Sequence, residues 1–285
     1  METKVSSATK EVIISINLPT RLIGERINPS GRKRLTQALQ SGNLDMVRAE
    51  AIAQVKAGAD IIDVNVGATG IDEVALLPKA VKIVMEAVDV PLCIDAESPK
   101  ALEAALKIYK GRPIVNSVKG EKKSLEPVLP LIKEYGAVVI GLTIDDDGLP
   151  KTADKRVSIA GKIIERAEKL GIPRQDVIID TLAMAIAADS KAGLPVIEAI
   201  RRIAAEFGVN QTLGASNISF NMPDRELLNI AFLGAVIAAG VTCPIVDAAK
   251  VRPGVLAVDL VLGRDNYAQR YIRAFRQRQQ PKPGA

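Results

Sequence analysis

The chain alternates eight times between a short apolar, β-branched run and a longer segment with helical periodicity. The short runs predict strands at Arg21–Arg26, Asp60–Val66, Pro91–Ala96, Ile114–Val118, Ala137–Thr143, Val177–Leu182, Thr212–Asn217 and Cys243–Ala248. The longer segments predict helices at 44–57, 73–88, 98–109, 122–135, 153–170, 191–207, 224–239 and 253–263. Apolar strands that each lead into a helix are typical of a parallel sheet covered by helices, and eight such units close into a barrel. The sequence therefore predicts an α/β protein with one (β/α)8 TIM barrel.

A doubly wound open sheet is the alternative fold for this pattern. Such sheets commonly carry a Gly-x-Gly-x-x-Gly turn after the first strand, where this chain has Gly24-Glu-Arg-Ile-Asn28. We therefore favour the barrel and place it over residues 21–264. Residues 1–20 are expected to form a leader in which Val12–Ile16 could close the barrel bottom, and residues 265–285 a C-terminal helix and basic tail.

The basic tail is a local feature of the charge distribution. The net charge is +5, and cations crowd the C-terminus at Arg264, Arg270, Arg273, Arg276, Arg278 and Lys282. Only 3% of the residues are aromatic, so the tail lacks the interleaved rings of many nucleic-acid-binding surfaces. We interpret it as a solvated helix and tail, with docking onto an acidic protein as the alternative, and expect no nucleic-acid partner.

The absence of histidine limits the chemistry of the chain. It excludes a Ser-His-Asp or Cys-His nucleophilic site, a histidine acid or base, and a His-ligated metal. Cys93 and Cys243 stand 150 positions apart in apolar runs, so we expect two reduced, buried thiols and no metal site. Because there is neither an apolar run of membrane-spanning length nor a signal peptide, we expect a cytoplasmic protein without a membrane partner.

Nearly every predicted strand ends in polar residues. In chain order these are Glu25 and Asn28, Asp63 and Asn65, Asp95 and Glu97, Asn116 and Ser117, Thr143 and Asp145, Asp180 and Thr181, Ser216, Asn217 and Ser219, and Asp247. Barrel enzymes place their sites at the carboxyl ends of the strands. Helix N-capping could explain any one of these residues. It does not explain the set, because three aspartates lie inside apolar runs or at their last residue, so the sequence predicts a ligand pocket.

Those three aspartates, Asp63, Asp95 and Asp180, restrict the kind of ligand. Buried carboxylates require a cation or a ligand rich in hydrogen-bond donors. A magnesium-like ion would fit their oxygen atoms, as in a metal-dependent lyase or aldolase. A flat heterocycle with N–H donors and ring acceptors also fits, because carboxylates accept hydrogen bonds and asparagine amides both donate and accept. A pterin is such a ring.

Seven segments of the chain together resemble the pterin-binding methyltransferases. They are Leu22-Ile-Gly-Glu-Arg-Ile-Asn28, Asp63-Val-Asn-Val-Gly67, Cys93-Ile-Asp95, Ile114-Val-Asn-Ser117, Ile140-Gly-Leu-Thr143, Ile179-Asp180 and Gly214-Ala-Ser-Asn217. More narrowly, the chain is similar to methyltetrahydrofolate:corrinoid protein methyltransferases. Their barrel also occurs as a module of cobalamin-dependent methionine synthase and, more distantly, in dihydropteroate synthase. The similarity extends from about residue 21 to about residue 275 and implies a pterin-binding TIM barrel.

The resemblance also implies a role for each matching residue. Asn217 would be the catalytic residue that reaches N5, the pterin nitrogen that carries the methyl group. The other expected pterin-binding and supporting residues are Asp95, Asn116, Asp180, Asp63, Asn65, Ser219 and Arg225. Phe220 stands where the family has a polar residue, so we expect different contacts around N5 or the corrin ring.

The implied activity moves a methyl group between tetrahydrofolate and cobalt. Methyltetrahydrofolate and tetrahydrofolate would be the folate substrates, and a partner protein would carry the corrinoid (cobalamin), because this chain has no histidine to ligate cobalt. The resemblance further implies a homodimer and leaves the direction of transfer open. A dihydropteroate synthase and a non-catalytic pterin-binding subunit are the alternative functions, and the segment around Asn217 argues against the former.

Overall fold

The computed structural model describes residues 1–279 of the chain. A two-stranded antiparallel hairpin comes first and consists of β1 (Thr3–Ser6) and β2 (Glu11–Ile14). Eight further strands follow: β3 (Ile23–Ile27), β4 (Ile61–Asn65), β5 (Leu92–Asp95), β6 (Ile114–Lys119), β7 (Val138–Leu142), β8 (Val177–Asp180), β9 (Gln211–Thr212) and β10 (Ile245–Val246). They pair in the order β10-β3-β4-β5-β6-β7-β8-β9, and every pair is parallel.

Backbone hydrogen bonds between the last two strands close this sheet into a barrel. The Ile245 N–H donates to the Leu213 carbonyl at 3.0 Å, and the Thr242 N–H donates to the Gln211 carbonyl at 2.9 Å. These bonds join the chain around β10 to the chain around β9, the two edges of the eight-stranded sheet. The predicted TIM barrel is therefore confirmed.

Helices cover the outside of the barrel. They are α1 (Lys33–Gln40), α2 (Asp45–Ala57), α3 (Glu73–Ala87), α4 (Pro99–Ile108), α5 (Lys122–Tyr135), α6 (Ala153–Lys169), α7 (Gly193–Phe207), α8 (Arg225–Ala239), α9 (Ala248–Val261) and α10 (Gln269–Gln279). Local sequence sets their ends: the Ser98 hydroxyl accepts from the Ala101 N–H at 3.3 Å, with Pro99 at the first helical position of α4. Within residues 1–279, none of the helices is long and apolar enough to cross a membrane.

The hairpin packs against the N-terminal end of the barrel interior. Its side chains Val5, Val12 and Ile14 join a buried cluster with residues near the beginnings of the barrel strands. We call these barrel residues the lower layer: Ile23, Ile61, Cys93, Ile114, Val138, Ile140, Ile178 and Cys243. The structure thus places the leader expected at residues 1–20 against the bottom of the barrel.

Three elements differ clearly from the sequence predictions: one helix is not predicted, and two strands are shorter than predicted. Helix α1 was not expected, because its eight residues carry only two buried apolar side chains, Leu35 and Leu39. The predicted strand at 212–217 pairs only at β9 and then becomes a 3-10 turn at Ala215–Ser219. The last predicted strand is also short, since α9 begins at Ala248 rather than at 253.

The early start of α9 has a local cause. The carboxylate of Asp247 accepts a hydrogen bond from the Ala249 N–H at 3.3 Å, so this residue is the N-cap of α9. Helix capping, the alternative explanation for polar strand ends, is therefore correct for Asp247. The helix expected at 265–278 begins with a 3-10 turn at Asn266–Ala268 before α10, and Lys282 of the basic tail lies outside the described residues.

Candidate functional site

A layer of polar side chains lies directly above the lower layer inside the barrel. Residues two apart on a strand face the same side, so strands that begin with an inward Ile or Cys present a polar residue next. Ile61 is followed by Asp63 and Asn65, and Ile178 by Asp180. Pairing between neighbouring strands places Asn65 opposite Asp95 and Asp95 opposite Asn116. We call this set the upper layer: Glu25, Asp63, Asn65, Asp95, Asn116 and Asp180.

Asp63 lies deepest in the upper layer, where its side chain is 2% exposed. The Asn116 amide donates to its Oδ1 at 3.4 Å. Burial raises the pKa of Asp63 well above its ordinary value, and the charge of Asp95 raises it further, while hydrogen bonds from Cys93 and Asn116 oppose these effects. Asp63 therefore supports Asn116 from below.

Asp95 stands at the end of β5 and faces the opening above the barrel. Burial raises its pKa to about 6, a hydrogen bond from Asn65 opposes this, and the charges of Glu73 and Glu97 add to it. The Asn65 Oδ1 accepts from the Gly67 N–H at 2.8 Å, which leaves the amide NH2 for Asp95. A carboxylate in such surroundings gains stability from any additional N–H donor.

Asp180 ends β8 and is also buried, with 4% of its surface exposed. Burial raises its pKa to about 7, while a hydrogen bond from the Leu182 N–H and the charge of Arg156 oppose the rise. The Leu182 N–H donates to Oδ1 at 2.6 Å. Across residues 1–279 no donor binds Oδ2, which leaves this oxygen for a ligand.

A cavity of about 840 Å³ opens above the upper layer on the side of β4 to β7. Its volume lies within the range of about 300–1,000 Å³ that is typical of small-molecule sites. Among the expected site residues, Asn65, Asp95 and Asn116 line it. Most other polar groups of the wall are acidic or basic: Glu73, Glu97, Lys119, Glu121 and Lys123. The cavity is thus an acidic pocket for a small, donor-rich ligand.

The exposed side chain of Asn217 lies on the 3-10 turn after β9 rather than at a strand end. Arg225, at the start of α8, donates from Nε to the Ser219 hydroxyl at 3.1 Å and from Nη2 to the Ser216 carbonyl at 2.9 Å. The Ser216 hydroxyl in turn donates to the Glu25 carboxylate at 2.8 Å. Two arginine bonds and one serine bond therefore fix the Asn217 turn between α8 and the upper layer.

Gly214 leaves space for the Asn217 side chain because it has no Cβ atom. A Cβ at this position would lie 3.1 Å from the Asn217 amide nitrogen, which is closer than ordinary packing allows. The guanidinium of Arg225 also lies 5.9 Å from the centre of the Phe220 ring, a cation–π distance. Gly214 on one side of Asn217, and Phe220 with Arg225 on the other, therefore constrain the conformation of this turn.

The structure brings together most, but not all, of the expected site residues. Asp63, Asn65, Asp95, Asn116 and Asp180 share one layer, and Ser219 and Arg225 contact the turn that carries Asn217. Asp63, Asp180 and the expected site residues beyond β8 do not line the 840 Å³ cavity. Within residues 1–279, no group of three or more His, Cys, Asp or Glu side chains is arranged to hold a metal ion.

Three neighbouring groups were not expected at the site: Glu25, Glu73 and Arg156. Glu25 was recognised as a polar strand end but was not assigned to the pocket, although its burial raises its pKa. Glu73 and Arg156 lie on α3 and α6, where a charged residue ordinarily faces solvent. No sequence pattern separates these two from the solvated charges on the same helices.

Comparisons with known proteins agree with this geometry. Residues 24–247 match the model of the pterin binding enzyme family. A methylcorrinoid:tetrahydrofolate methyltransferase of Eubacterium limosum is 33% identical over 90% of this chain and 96% of its own. A methionine synthase of Mycobacterium tuberculosis is 32% identical over 88% of this chain, which spans only 22% of that longer protein. The family resemblance drawn from the seven segments is confirmed.

Solved structures of dihydropteroate synthases share the fold. The enzyme from Xanthomonas albilineans superimposes with a TM-score of 0.69 at 15% identity, over 92% of this chain and 99% of that structure. The enzyme from Vibrio fischeri gives the same TM-score at 16% identity over the same shares. At these identities the likeness concerns the barrel and not the activity.

Proposed function

This chain belongs to the family of pterin binding enzymes, and we propose that it moves the N5 methyl group between methyltetrahydrofolate and the cobalt of a corrinoid protein. One observation carries the proposal: the Asp95 carboxylate lines a ligand-sized cavity together with Asn65 and Asn116, at the end of the barrel where Asn217 is exposed on its turn. The names of the two relatives, a methylcorrinoid:tetrahydrofolate methyltransferase and a methionine synthase, agree with this chemistry.

The pterin ring is proposed to bind edge-on to the upper layer. Its amino and ring N–H groups would donate to Asp95 and Asp180, and the Asn116 amide would both donate and accept. Burial holds the pKa of Asp95 near 6 and that of Asp180 near 7, so each carboxylate lacks sufficient donors without a ligand. A donor-rich ring would supply them, which gives affinity and a fixed orientation together.

Asn217 is proposed to act at N5 of the bound folate. In the direction from folate to cobalt, the N5–methyl bond breaks, and N5 keeps the electron pair and takes up a proton. The reduced cobalt of the substrate corrinoid supplies the electron pair for the new methyl–cobalt bond. An amide beside N5 would stabilise the positive character that N5 gains before its bond breaks. Asn217 is exposed at the barrel opening, where both substrates could reach it.

The partner corrinoid protein is proposed to dock at this same opening. Three large apolar side chains are exposed around it: Phe220 beside the Asn217 turn at 56%, Leu227 of α8 at 63% and Leu194 of α7 at 66%. Exposed apolar groups beside a polar site are typical of a protein-binding surface. Because the chain has no histidine, the cobalt ligand would come from the partner.

We propose in addition that the chain acts as a cytoplasmic homodimer without a resident metal or a nucleic-acid partner. The division into a leader (1–20), the barrel (21–264) and a C-terminal helix and tail (265–285) accompanies this proposal. Sedimentation velocity would test the dimer: the proposal expects the mass of two chains, and a single-chain mass at micromolar concentration would contradict it.

The acidic wall of the cavity disfavours a dihydropteroate synthase. Such an enzyme must bind a pyrophosphate, whereas this cavity presents Glu73, Glu97 and Glu121. One of its two lysines, Lys123, already pairs with Glu121 at 2.8 Å. The wall would therefore repel a polyanion.

The decisive activity test mixes the protein with methyltetrahydrofolate and cob(I)alamin and records the absorption spectrum. The proposal expects the methylcobalamin spectrum to develop with free or protein-bound corrinoid, and Asp95→Asn to slow its appearance. The matched control is Asp146→Asn, which changes an exposed aspartate outside the cavity. Absence of any spectral change with either corrinoid would contradict the proposed activity, and tight folate binding without turnover would favour a non-catalytic pterin-binding subunit.

A further inference from the structure

A buried arginine lies behind Asp180 and takes no part in the contacts described so far. Arg156, in the first turn of α6, is 1% exposed, so it is one of the largest fully buried side chains. Its Nη1 donates to the carbonyl of Thr181 and, at 3.2 Å, to the carbonyl of Leu182. Within residues 1–279 no carboxylate forms an ion pair with it, and its Nε has no partner. A buried guanidinium in this state is costly, so its position requires an explanation.

The two carbonyls belong to the turn that orients the Asp180 carboxylate. Leu182 has a φ of 57°, in the left-handed region that is unfavourable for a residue with a side chain. The N–H of this same residue donates to Asp180 Oδ1, and its carbonyl accepts from Arg156. Arg156 therefore stabilises a strained turn whose other contact fixes Oδ1 of Asp180, while Oδ2 has no donor among residues 1–279.

Arg156 also carries a positive charge that lowers the pKa of Asp180. On the barrel strands beside Asp180, Leu142 and Thr212 carry no charge. The Cys243 thiol is the other titratable group that interacts with Asp180, and burial raises its pKa to about 12, so it is neutral. The guanidinium is thus the cation that opposes the effect of burial on the pKa of Asp180.

We propose that Arg156 is a positioning residue that orients the Asp180 carboxylate through the turn at residues 180–182 and favours its ionised form. The effect on Asp180 stands by itself, whereas the consequence for pterin binding rests on the proposed function. Arg156 does not touch the substrate and acts only through Asp180 and the turn at residues 180–182.

The first test titrates Asp180 in the ligand-free protein. Aspartate labelled with ¹³C at the carboxyl group is followed by NMR from pH 4 to pH 9, and Asp180→Asn identifies the signal. In Arg156→Gln, which keeps a donor but removes the charge, the midpoint of Asp180 should rise by about one pH unit or more. Arg156→Lys, which keeps the charge, should hold the midpoint closer to the wild-type value.

The matched control is Arg166→Gln on the same helix. Arg166 is half-buried at the surface and pairs with Glu126 at 2.8 Å, far from Asp180 in the fold. Its substitution should leave the midpoint of Asp180 unchanged. An unchanged midpoint in folded Arg156→Gln would overturn the proposal. If that variant does not fold, a midpoint in Arg156→Lys that rises by about one pH unit, despite the retained charge, would do so.

The second test measures methyltetrahydrofolate binding against pH. Arg156→Gln should weaken binding about fivefold at pH 7, because a rise in the midpoint of Asp180 from about 7 to about 8 lowers its ionised fraction there from about one half to about one tenth. The difference should narrow towards pH 9, where Asp180 is ionised in both proteins. A loss that is equal at all pH values would indicate a purely structural role. Wild-type protein that binds no folate at any pH would contradict the proposed function instead, and the NMR result would still decide the role of Arg156.

Discussion

The lower and upper layers of the barrel interior are built by the same strands and differ in every physical respect. Ile61, Cys93, Ile114 and Ile178 of the lower layer are fully buried and pack beneath the hairpin. Two residues further along the same strands come Asp63, Asp95, Asn116 and Asp180. The pKa values of these three aspartates are raised by burial. A step of two residues along each strand therefore separates a layer that stabilises the fold from a layer whose burial is destabilising.

This difference shows where the binding of a ligand would stabilise the protein. A buried Ile contributes about 1.5–3 kcal/mol to folding with no ligand present. A buried carboxylate costs free energy until a donor reaches it. Hydrogen bonds from a donor-rich ring would therefore offset the free-energy cost of burying the upper-layer carboxylates and leave the lower layer unchanged. Mutations in the two layers should accordingly change the free energy of unfolding in opposite directions.

The largest expected effect is a loss of stability in the lower layer. Ile14→Ala removes a fully buried side chain where the hairpin meets the barrel and should lower the free energy of unfolding by about 2–5 kcal/mol. Folate affinity of the folded protein should not change, because Ile14 lies at the opposite end of the barrel. Urea unfolding and calorimetric titration measure the two quantities. A large loss of folate affinity in the folded variant would contradict the independence of the two layers.

The next effect concerns the rate of methyl transfer. Asn217→Ala should lower kcat about 100- to 1,000-fold, the usual result of removing one hydrogen-bonding group that acts on the transition state. Folate affinity should change much less, since the pterin contacts lie in the upper layer. Asn17→Ala is the control, an exposed asparagine at the other end of the barrel. If the loss appeared wholly in folate affinity, Asn217 would be a binding residue and not a catalytic one.

A smaller effect has the opposite sign to that of Ile14→Ala. The pKa of Asp180 rises from 3.8 to about 7 on folding, so the folded state binds this proton more tightly and stability falls as pH rises from about 4 to about 7. Asp180→Asn should remove this loss and raise the free energy of unfolding at pH 8 by up to about 4 kcal/mol, while weakening folate binding. Urea unfolding between pH 5 and pH 8 checks the slope.

The control for that experiment is Asp146→Asn, because Asp146 is exposed and should change neither quantity. A destabilised Asp180→Asn protein at pH 8 would contradict the view that the upper layer costs stability.

The smallest effect lies at the edge of the upper layer. Arg225→Lys removes the paired contacts to Ser216 and Ser219 and should slow methyl transfer about fivefold, corresponding to about 1 kcal/mol. Affinity for the pterin should stay close to the wild-type value, because Arg225 orients the turn of Asn217. Arg201→Lys on α7, an exposed arginine away from the turn, is the control. A change confined to folate affinity would instead place Arg225 in direct contact with the folate.

The barrel and the polar ends of its strands were predictable because each rests on a local pattern. Apolar β-branched runs form buried parallel strands wherever they occur, and Asp63, Asp95 and Asp180 interrupt or end such runs. The two predicted strand ends that were wrong have different causes: the turn after β9 depends on a contact distant in sequence, and the early end of the last strand on a local helix cap. The turn of Asn217 is held by Arg225 and through Glu25, and Asp247 caps α9.

Arg156 shows the limit of the sequence most clearly. It lies on α6 among charged neighbours, and only the packing of that helix against the end of β8 buries it behind Asp180. Helix α1 was missed for the opposite reason, since two buried leucines in eight residues give too short a pattern. Both depend on where the helices pack, which local periodicity does not specify.

A crystal structure with bound methyltetrahydrofolate would test the central claim most directly. We expect the pterin ring at the upper layer, with its N–H groups within hydrogen-bond distance of Asp95 and Asp180 and its N5 methyl group directed towards Asn217. A pterin bound elsewhere would contradict it, for example in the 600 Å³ groove beside Tyr109 at the hairpin end of the barrel.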